Sequence, residues 1–367
     1  MIHKSKVSKH AHGQEAVKHA GALTQDAASH IDRVQSKIFL EENEEVFEQR
    51  GVTVLKGQIT LTSGTTASCK MEDGSVRTVS AEHILICTGA VPFIPDSLKK
   101  MLSDNDIPYW TYESLWPALK EQSLKPGKIA VVGGGPIGCE LSQALARLGW
   151  EVSLVASKLL PRDDDKVRDV IGRAFAAEPN LNLLSGRPTN ISMDGDKIKV
   201  EVGTVGAVTV DKLLVCTGRR PNIAALGLEQ VGVKLNEQGG IEVGTDLQSS
   251  VKTIYACGDC LGGPQFTHYA GWQAVYAVRN AFFPGSSNGL PKINPWVTFT
   301  DPEVAQVGMT EQEARALYGD DVRVESMNFD NIDRLQTDCD DKYGQFVTLV
   351  FKGTTIIGGT VVCSRAG

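Results

Sequence analysis

The sequence predicts an α/β protein of two to three domains, and three observations carry that prediction. An apolar strand runs into a glycine-rich turn and a helix at 128–149, a short antiparallel meander occupies 52–79, and one strand-turn segment occurs twice, at 82–95 and 211–222. The chain has 367 residues, more than a single hydrophobic core usually serves, and 41% of them are hydrophobic, with 37 glycines that suit tight loops. A net charge of −7 and the lack of a basic cluster with interleaved aromatics argue against nucleic acid or an acidic membrane surface as partner. No apolar run approaches a membrane span, and the Lys- and His-rich start lacks the apolar core of a signal peptide. A cytoplasmic or organelle-stromal location is therefore expected.

Residues 3–30 are polar and carry His3, His10, His12, His19 and His30, which suits either metal binding or, more plainly, a solvated helix or frayed terminus. Ile31, Val34 and Ile38 share one helical face ahead of the acidic stretch 41–48, predicting an amphipathic helix that leads into a sheet. The period then changes. Residues 52–55, 58–61, 67–71 and 76–79 alternate or cluster as short strands, with Ser63-Gly64 and Asp73-Gly74 as turns. In both 82–95 and 211–222 an acidic residue, an apolar strand, Cys-Thr-Gly and a proline recur at the same offsets. The repeat predicts two similar nucleotide-binding units, each ending in a buried strand whose Thr-Gly turn lets backbone approach a cofactor.

Between the copies, 129–132 read as a buried strand, Gly133, Gly135 and Gly138 form G-x-G-x-x-G, 137–148 have helical spacing, and 151–155 form the next strand. This is the context in which such glycines bind a dinucleotide. The first permits the turn, the second admits a pyrophosphate, the third lets helix pack on strand, and the helix start at Pro136 and Ile137 offers free N–H groups. About twenty residues past the glycines, where a carboxylate would hold the ribose of NAD, the strand ends instead in Ala156, followed by Lys158 and Arg162. That pattern favours NADP over NAD, with a solvated loop lysine as the alternative for Lys158. Further on, a strand ends at Gly258-Asp259, and a helix starts near Phe266. Asp259 is placed to hold a chain of sugar-like hydroxyls, and the N–H groups of residues 265–268 to face an anionic ring, tasks that suit a flavin. Of eight cysteines, only Cys257 and Cys260 have C-x-x-C spacing. They read either as a redox dithiol or half a metal site, or as two thiols flanking Gly258-Asp259; no second ligand pair supports zinc.

Five segments in this order resemble the pyridine nucleotide-disulfide oxidoreductase family, the class I flavoprotein disulfide reductases. They are Cys87-Thr-Gly, Gly133-x-Gly-x-x-Gly-x-Glu140, Cys216-Thr-Gly-Arg-Arg-Pro-Asn222, Tyr255-Ala-Cys-Gly-Asp259 and the segment 297–308. Gly-Asp-Cys260 and Leu154-Val-Ala156 are similar to the mercuric reductase-like branch. The resemblance implies glutathione reductase-like FAD- and NAD(P)-binding domains of Rossmann type and an α+β dimerisation domain. The first part of the FAD domain would fill 1–96, the NAD(P) domain 97–220, the second part of the FAD domain 221–293, and the start of the dimerisation domain 294–367. By position it implies that Thr88, Gly89 and Ala90 line FAD, Gly57 lies near its adenine end, Asp259 binds the ribityl chain, and Gln265, Phe266, Thr267 and His268 approach the ring. Gly133, Gly135, Gly138 and Gly218 would contact NADPH, and Glu140 would position the nicotinamide.

Two features depart from the family pattern. No G-x-G-x-x-G precedes Gly133, and no cysteine pair has the C-x-x-x-x-C spacing of the family's redox disulfide. The chain also stops at Gly367, before the segment that carries the family's C-terminal catalytic group, so it is expected to be incomplete at both ends, to hold FAD weakly and to dimerise weakly or aggregate, with a homodimer expected of the full-length protein. Two readings stay open: an NADPH-dependent FAD oxidoreductase acting on a disulfide, a thiol or Hg(II), and a dinucleotide-binding module without disulfide chemistry.

Overall fold

The computed structural model describes residues 13–121, 124–330, 332–333, 337 and 343–367, with the side chains of 13–21 outside the description. His3, His10, His12, the side chain of His19, and Cys339 lie outside the described residues. The chain divides into two compact units, one of Met1–Asp32, Pro92–Gly218 and Pro295–Gly367, the other of Arg33–Val91 and Arg219–Asn294.

The first unit is built on a parallel five-stranded sheet in the order Trp110–Thr111, Lys212–Val215, Lys128–Val132, Glu151–Ala156 and Leu181–Ser185. Its strands are apolar almost throughout because both faces are covered: Ile129, Val131 and Leu154 pack in the cluster of the helices below, and Ala130, Val132 and Val155 in a cluster with Leu98, Ile191, Ile198 and Val200. The helices Pro136–Arg147 and Asp165–Ala176 follow the strands Lys128–Val132 and Glu151–Ala156 in the chain. Each buries one apolar stripe, Cys139, Leu145 and Ala146 on the first, Val167, Val170, Ile171 and Phe175 on the second. A second, antiparallel sheet joins Asn190–Asp194, Lys197–Val202 and Gly206–Val210. The C-terminal part folds as a five-stranded antiparallel sheet, Trp296–Thr298, Glu303–Gly308, Thr355–Cys363, Phe346–Lys352 and Val322–Asn328 in spatial order. Val304, Phe346 and Val362 of that sheet belong to the same buried cluster as Trp150, Leu154 and Val170. The carboxylate of Asp164 adds a polar tie, accepting the N–H groups of Glu311 and Gln312 at 2.9 and 3.1 Å at the start of the helix Glu311–Tyr318.

The second unit carries the antiparallel meander Gly57–Ser63, Thr66–Met71 and Val76–Ser80. It also carries the parallel pair Ile84–Ile86 and Ile254–Ala256, and the helix Thr267–Phe282. Its core is a separate cluster that includes Leu61, Ile86, Ile241, Ile254 and Ala277.

Two expectations need correction. Residues 52–55 are not a strand: the turn at Asp73-Gly74 ends the partner strand at Met71, which pairs with Gly57, so nothing before Gly57 has a ladder to join. The helix at the chain's start runs over Gly13–Glu42, but its packed face is not the one read from Ile31, Val34 and Ile38. Val34 and Ile38 are 41% and 51% exposed, whereas Thr24 and Ala28 are buried and Leu23 and Ala27 pack on the first unit's core. Small residues there allow close approach, close enough for the Thr24 hydroxyl to donate to the Leu148 carbonyl at 3.4 Å.

Candidate functional site

In the first unit the strand Lys128–Val132 has Glu151–Ala156 on one side and Lys212–Val215 on the other, so its carboxyl end is the switch point of the sheet. The glycine turn starts there. Gly133 adopts φ +125°, and a Cβ on it would lie 2.3 Å from the Cys216 carbonyl oxygen. A Cβ on Gly138 would stand 1.9 Å from the Gly133 carbonyl oxygen, the close helix-to-turn packing that a third glycine provides. Gly135 differs: no heavy atom of the described residues lies within 4 Å of its Cβ position. It is also the N-cap of a helix with Pro136 at its start and no side-chain cap, so the first N–H groups, at Ile137 and Gly138, are left for a ligand. An open glycine beside an uncapped helix end fits a dinucleotide pyrophosphate. Gly218, at the end of the second Cys-Thr-Gly, has φ +132°, and its carbonyl accepts the Phe93 N–H at 3.0 Å.

The strand that follows ends at the buried Ala156, and Ser157, Lys158 and Arg162 are exposed beyond it. This loop folds back on the glycine turn, with the Leu160 N–H donating to the Gly134 carbonyl at 2.7 Å. Gly134, which the fingerprint leaves unspecified, is itself constrained, since a Cβ there would lie 2.2 Å from the Lys158 carbonyl oxygen. Glu140 sits on the helix Pro136–Arg147 with Oε1 accepting the Phe299 N–H at 2.8 Å. Burial pushes its carboxyl above the usual range, and the Phe299 N–H opposes that shift.

In the second unit both halves of the candidate flavin set follow the parallel pair. Thr88, Gly89 and Ala90 come after Ile84–Ile86, and Asp259 after Ile254–Ala256. Gly89 has φ +69° with open space at its Cβ position, and Asn222 fastens the turn through its N–H to the Gly89 carbonyl at 2.9 Å and its Nδ2 to the Thr88 carbonyl at 3.3 Å. Phe266 is the N-cap of the helix Thr267–Phe282 without a side-chain cap. Its ring stacks on His268 at 5.7 Å, and His268 Nε2 lies 3.0 Å from Asn294 Oδ1. The open glycine and uncapped helix end fit the flavin reading. Asp259 carries a partner the sequence did not reveal: Arg219 reaches its Oδ2 at 3.0 Å and the Gln265 carbonyl at 2.5 Å. Burial raises the Asp259 carboxyl and Arg219 opposes it. Gly57 is different again. A Cβ there would meet the Lys70 carbonyl oxygen at 2.3 Å, so its own hairpin demands glycine whatever else passes by.

The C-x-x-C spacing paired Cys257 with Cys260, but Cys257 Sγ lies 3.3 Å from Cys87 Sγ. Cys260 instead directs its thiol to the carbonyls of Ile86 and Cys257, at 3.4 and 3.2 Å. The signal that could have found the pair is that each cysteine directly follows a short apolar strand, and those strands are neighbours. Among the described residues no group of three or more His, Cys, Asp or Glu is arranged to hold a metal ion, and no helix is long and apolar enough to cross a membrane.

The chain is 33% identical over 323 residues to mercuric reductase of Acidithiobacillus ferrooxidans, covering 86% of this chain and 56% of that protein. It is 33% identical over 277 residues to dihydrolipoyl dehydrogenase of Buchnera aphidicola, covering 73% of this chain and 55% of that one. The chain thus spans a little over half the length of these relatives. Among solved structures, the HOCl-induced flavoprotein disulfide reductase RclA from Escherichia coli superposes with a TM-score of 0.77 at 24% identity, over 96% of this chain and 80% of that one, a likeness of fold. Family models described as pyridine nucleotide-disulphide oxidoreductase and as the dimerisation domain of that family match residues 2–274 and 294–367, and the chain belongs to this family.

Proposed function

We propose that the protein is an NADPH-dependent FAD oxidoreductase that passes electrons to a disulfide, a thiol or a metal-ion acceptor, with Hg(II) the first acceptor to test. Family membership and the resemblance to mercuric reductases and dihydrolipoyl dehydrogenases support this reading over a nucleotide-binding module without redox chemistry. The observation that carries it is the open face of Gly135 at the uncapped start of the helix Pro136–Arg147. In this reading residues 97–220 form the NAD(P) domain, 1–96 and 221–293 the FAD domain, and 294–367 the dimerisation domain of a homodimer.

A bound flavin would supply the acceptor for a hydride from the reduced nicotinamide. The chain's own residues hold and orient. The N–H groups of Ile137 and Gly138 would hold the pyrophosphate, Gly135 and Gly218 would let backbone approach the dinucleotide, and Glu140, held through Oε1 on the Phe299 N–H, would position the nicotinamide. Ala156 leaves room for a 2′-phosphate that Lys158 and Arg162 neutralise. Gly89, Thr88, Ala90 and the helix start at residues 265–268 hold the flavin, and Asp259 shares its carboxylate between Arg219 and the ribityl chain.

Calorimetric titration of the 367-residue chain with NADPH and with NADH tests the nucleotide half directly. NADPH should bind tighter. Ala156→Glu should move the preference toward NADH by about 2–4 kcal/mol, through a lost charge-assisted bond and a new like-charge repulsion, and Lys158→Ala should weaken NADPH alone. Equal affinities in the wild type, or an unmoved ratio in Ala156→Glu, would remove the NADPH assignment. Oxidation of NADPH by the FAD-reconstituted protein with Hg(II) and with a cyclic disulfide then ranks the acceptors.

A further inference from the structure

The register of the parallel pair sets Ile86 opposite Ala256, and the Cys257 N–H donates to the Ile86 carbonyl at 3.1 Å, so Cys87 and Cys257 continue side by side past the ladder. Neighbouring strands lie about 4.8 Å apart, inside the roughly 4.4–6.8 Å between Cα atoms that a disulfide requires. The sulfurs are already 3.3 Å apart. Closing that gap asks for side-chain rotation rather than movement of the backbone. The two thiols also differ in access: Cys87 is exposed, whereas Cys257 is buried.

We propose that Cys87 and Cys257 form an oxidisable dithiol, closed to a cross-strand disulfide by hydroperoxides, with Cys87 as the attacking and Cys257 as the resolving thiol. This reading does not depend on the cofactor assignment. The hydrogen bond between the two sulfurs holds the Cys87 thiol below its ordinary range against the effect of burial, while the neighbouring Cys87 and then burial push Cys257 up, which favours Cys87 as the attacking sulfur. The Cys87 thiolate attacks one peroxide oxygen, the O–O bond breaks, and the other oxygen leaves as an alcohol or water after taking a proton. Cys87 is then a sulfenic acid. The Cys257 sulfur attacks the Cys87 sulfur and displaces hydroxide, which leaves as water with the Cys257 proton. In sum, two thiols lose two electrons and two protons, and one hydroperoxide becomes one alcohol and one water. The bond would tie the turn that carries Thr88 and Gly89 to the one that carries Asp259.

Cys260 is the competing resolver, because it sits three residues from Cys257 and is also buried against Ile86. Its thiol, however, is directed at two carbonyl oxygens rather than at Cys87. The test treats the full chain with hydrogen peroxide, alkylates it, and maps tryptic peptides without reduction. The expected product is a peptide containing Cys87 joined to the one containing Cys257, released by dithiothreitol. It should be lost in Cys87→Ser and Cys257→Ser and kept in Cys260→Ser. In Cys257→Ser the Cys87 sulfenic acid should become trappable by dimedone. A cross-link that survives Cys257→Ser and disappears in Cys260→Ser overturns the pairing. Wild-type protein that gives only sulfinic acid at Cys87, or no change there, overturns the dithiol itself. Cys257 and Cys260 share the tryptic peptide 253–279, so fragment ions of the wild-type cross-link, which place the bond at Cys257 or at Cys260, decide the pairing even if a substitution impairs folding.

Discussion

Glycines that look alike in the fingerprint do different work at the scale of single residues, and substitution separates them. Ala at Gly138 must place its Cβ 1.9 Å from the Gly133 carbonyl oxygen, and Ala at Gly133 must hold φ +125° against Cys216, so each should cost about 1–3 kcal/mol of stability in a denaturant melt. Gly135 has φ −71° and ψ 177°, which any residue adopts, and open space around its Cβ position. Gly135→Val should therefore stay within about 1 kcal/mol of wild-type stability while abolishing NADPH binding. Loss of fold in Gly135→Val, or retained binding, would show that the open face is not the ligand's. A second residue-scale effect lies in the loop beyond Lys158. Asp163 is 4% exposed, and its Oδ1 has no hydrogen-bond partner among the described residues. Burial, helped by Asp164 and opposed by Arg168 and Arg162, pushes its carboxyl up from 3.8 to about 6. The folded protein thus holds this proton more tightly than the unfolded chain. The resulting stabilisation is complete below about pH 3.8 and lost as pH rises through about 6, a swing of about 1–3 kcal/mol. Asp163→Asn should flatten the stability profile across that window and raise stability at pH 7; an unchanged profile would mean that Asp163 is solvated.

At the scale of elements the helix Pro136–Arg147 serves two partners. Its uncapped start is the proposed nucleotide contact, and one stripe further along, Glu140, Gln143 and Arg147, grips residues 299–301. Gln143 donates to the Asp301 carbonyl at 2.9 Å and accepts the Asp301 N–H at 2.7 Å, while Arg147 bridges Asp301 at 2.8 Å and Glu178 at 3.0 Å. Gln143→Leu leaves both backbone groups of Asp301 without that partner and should cost about 1–3 kcal/mol. Gln143→Glu keeps the acceptor and should cost less, which a pair of thermal melts would compare. The helix itself was legible in the sequence because its apolar spacing and its glycines are local signals. Its grip was not, because Glu140 and Phe299 are 159 positions apart and neither residue type announces the other. The same limit hid Arg219 on Asp259, where the double arginine of the second Cys-Thr-Gly segment gave no hint of a carboxylate partner. Residues 52–55 failed for a related reason: their composition is strand-like, but a strand needs a ladder, and the length of the neighbouring hairpin decides where the ladder stops. The two Cys-Thr-Gly segments succeeded as a repeat, since each follows a parallel strand and ends in a glycine of positive φ, +69° at Gly89 and +132° at Gly218.

On the scale of the whole molecule, each unit has buried clusters of its own among the described residues. Leu154, Val170, Val304, Phe346 and Val362 share one cluster of the first unit, and Leu61, Ile86, Ile254 and Ala277 lie in the cluster of the second. The candidate sites divide in the same way, with Gly133, Gly135, Gly138, Glu140 and Ala156 in the first unit and Thr88, Gly89, Asp259 and residues 265–268 in the second. A ligand stabilises only the cooperative block that forms its site, by about 2.7 kcal/mol when its free concentration is about a hundredfold above Kd. Saturating NADPH should therefore slow hydrogen exchange of the slowest amides in the sheet around Lys128–Val132 by up to about a hundredfold. It should leave the meander Gly57–Met71 and the pair Ile84–Ile86 and Ile254–Ala256 near their unliganded rates. FAD should give the reverse pattern. Mass-resolved exchange with each cofactor alone makes the comparison on one sample of the full chain. Equal slowing of both units by NADPH would mean that they open as a single cooperative block, and the separation of cores would then not be a separation of stabilities.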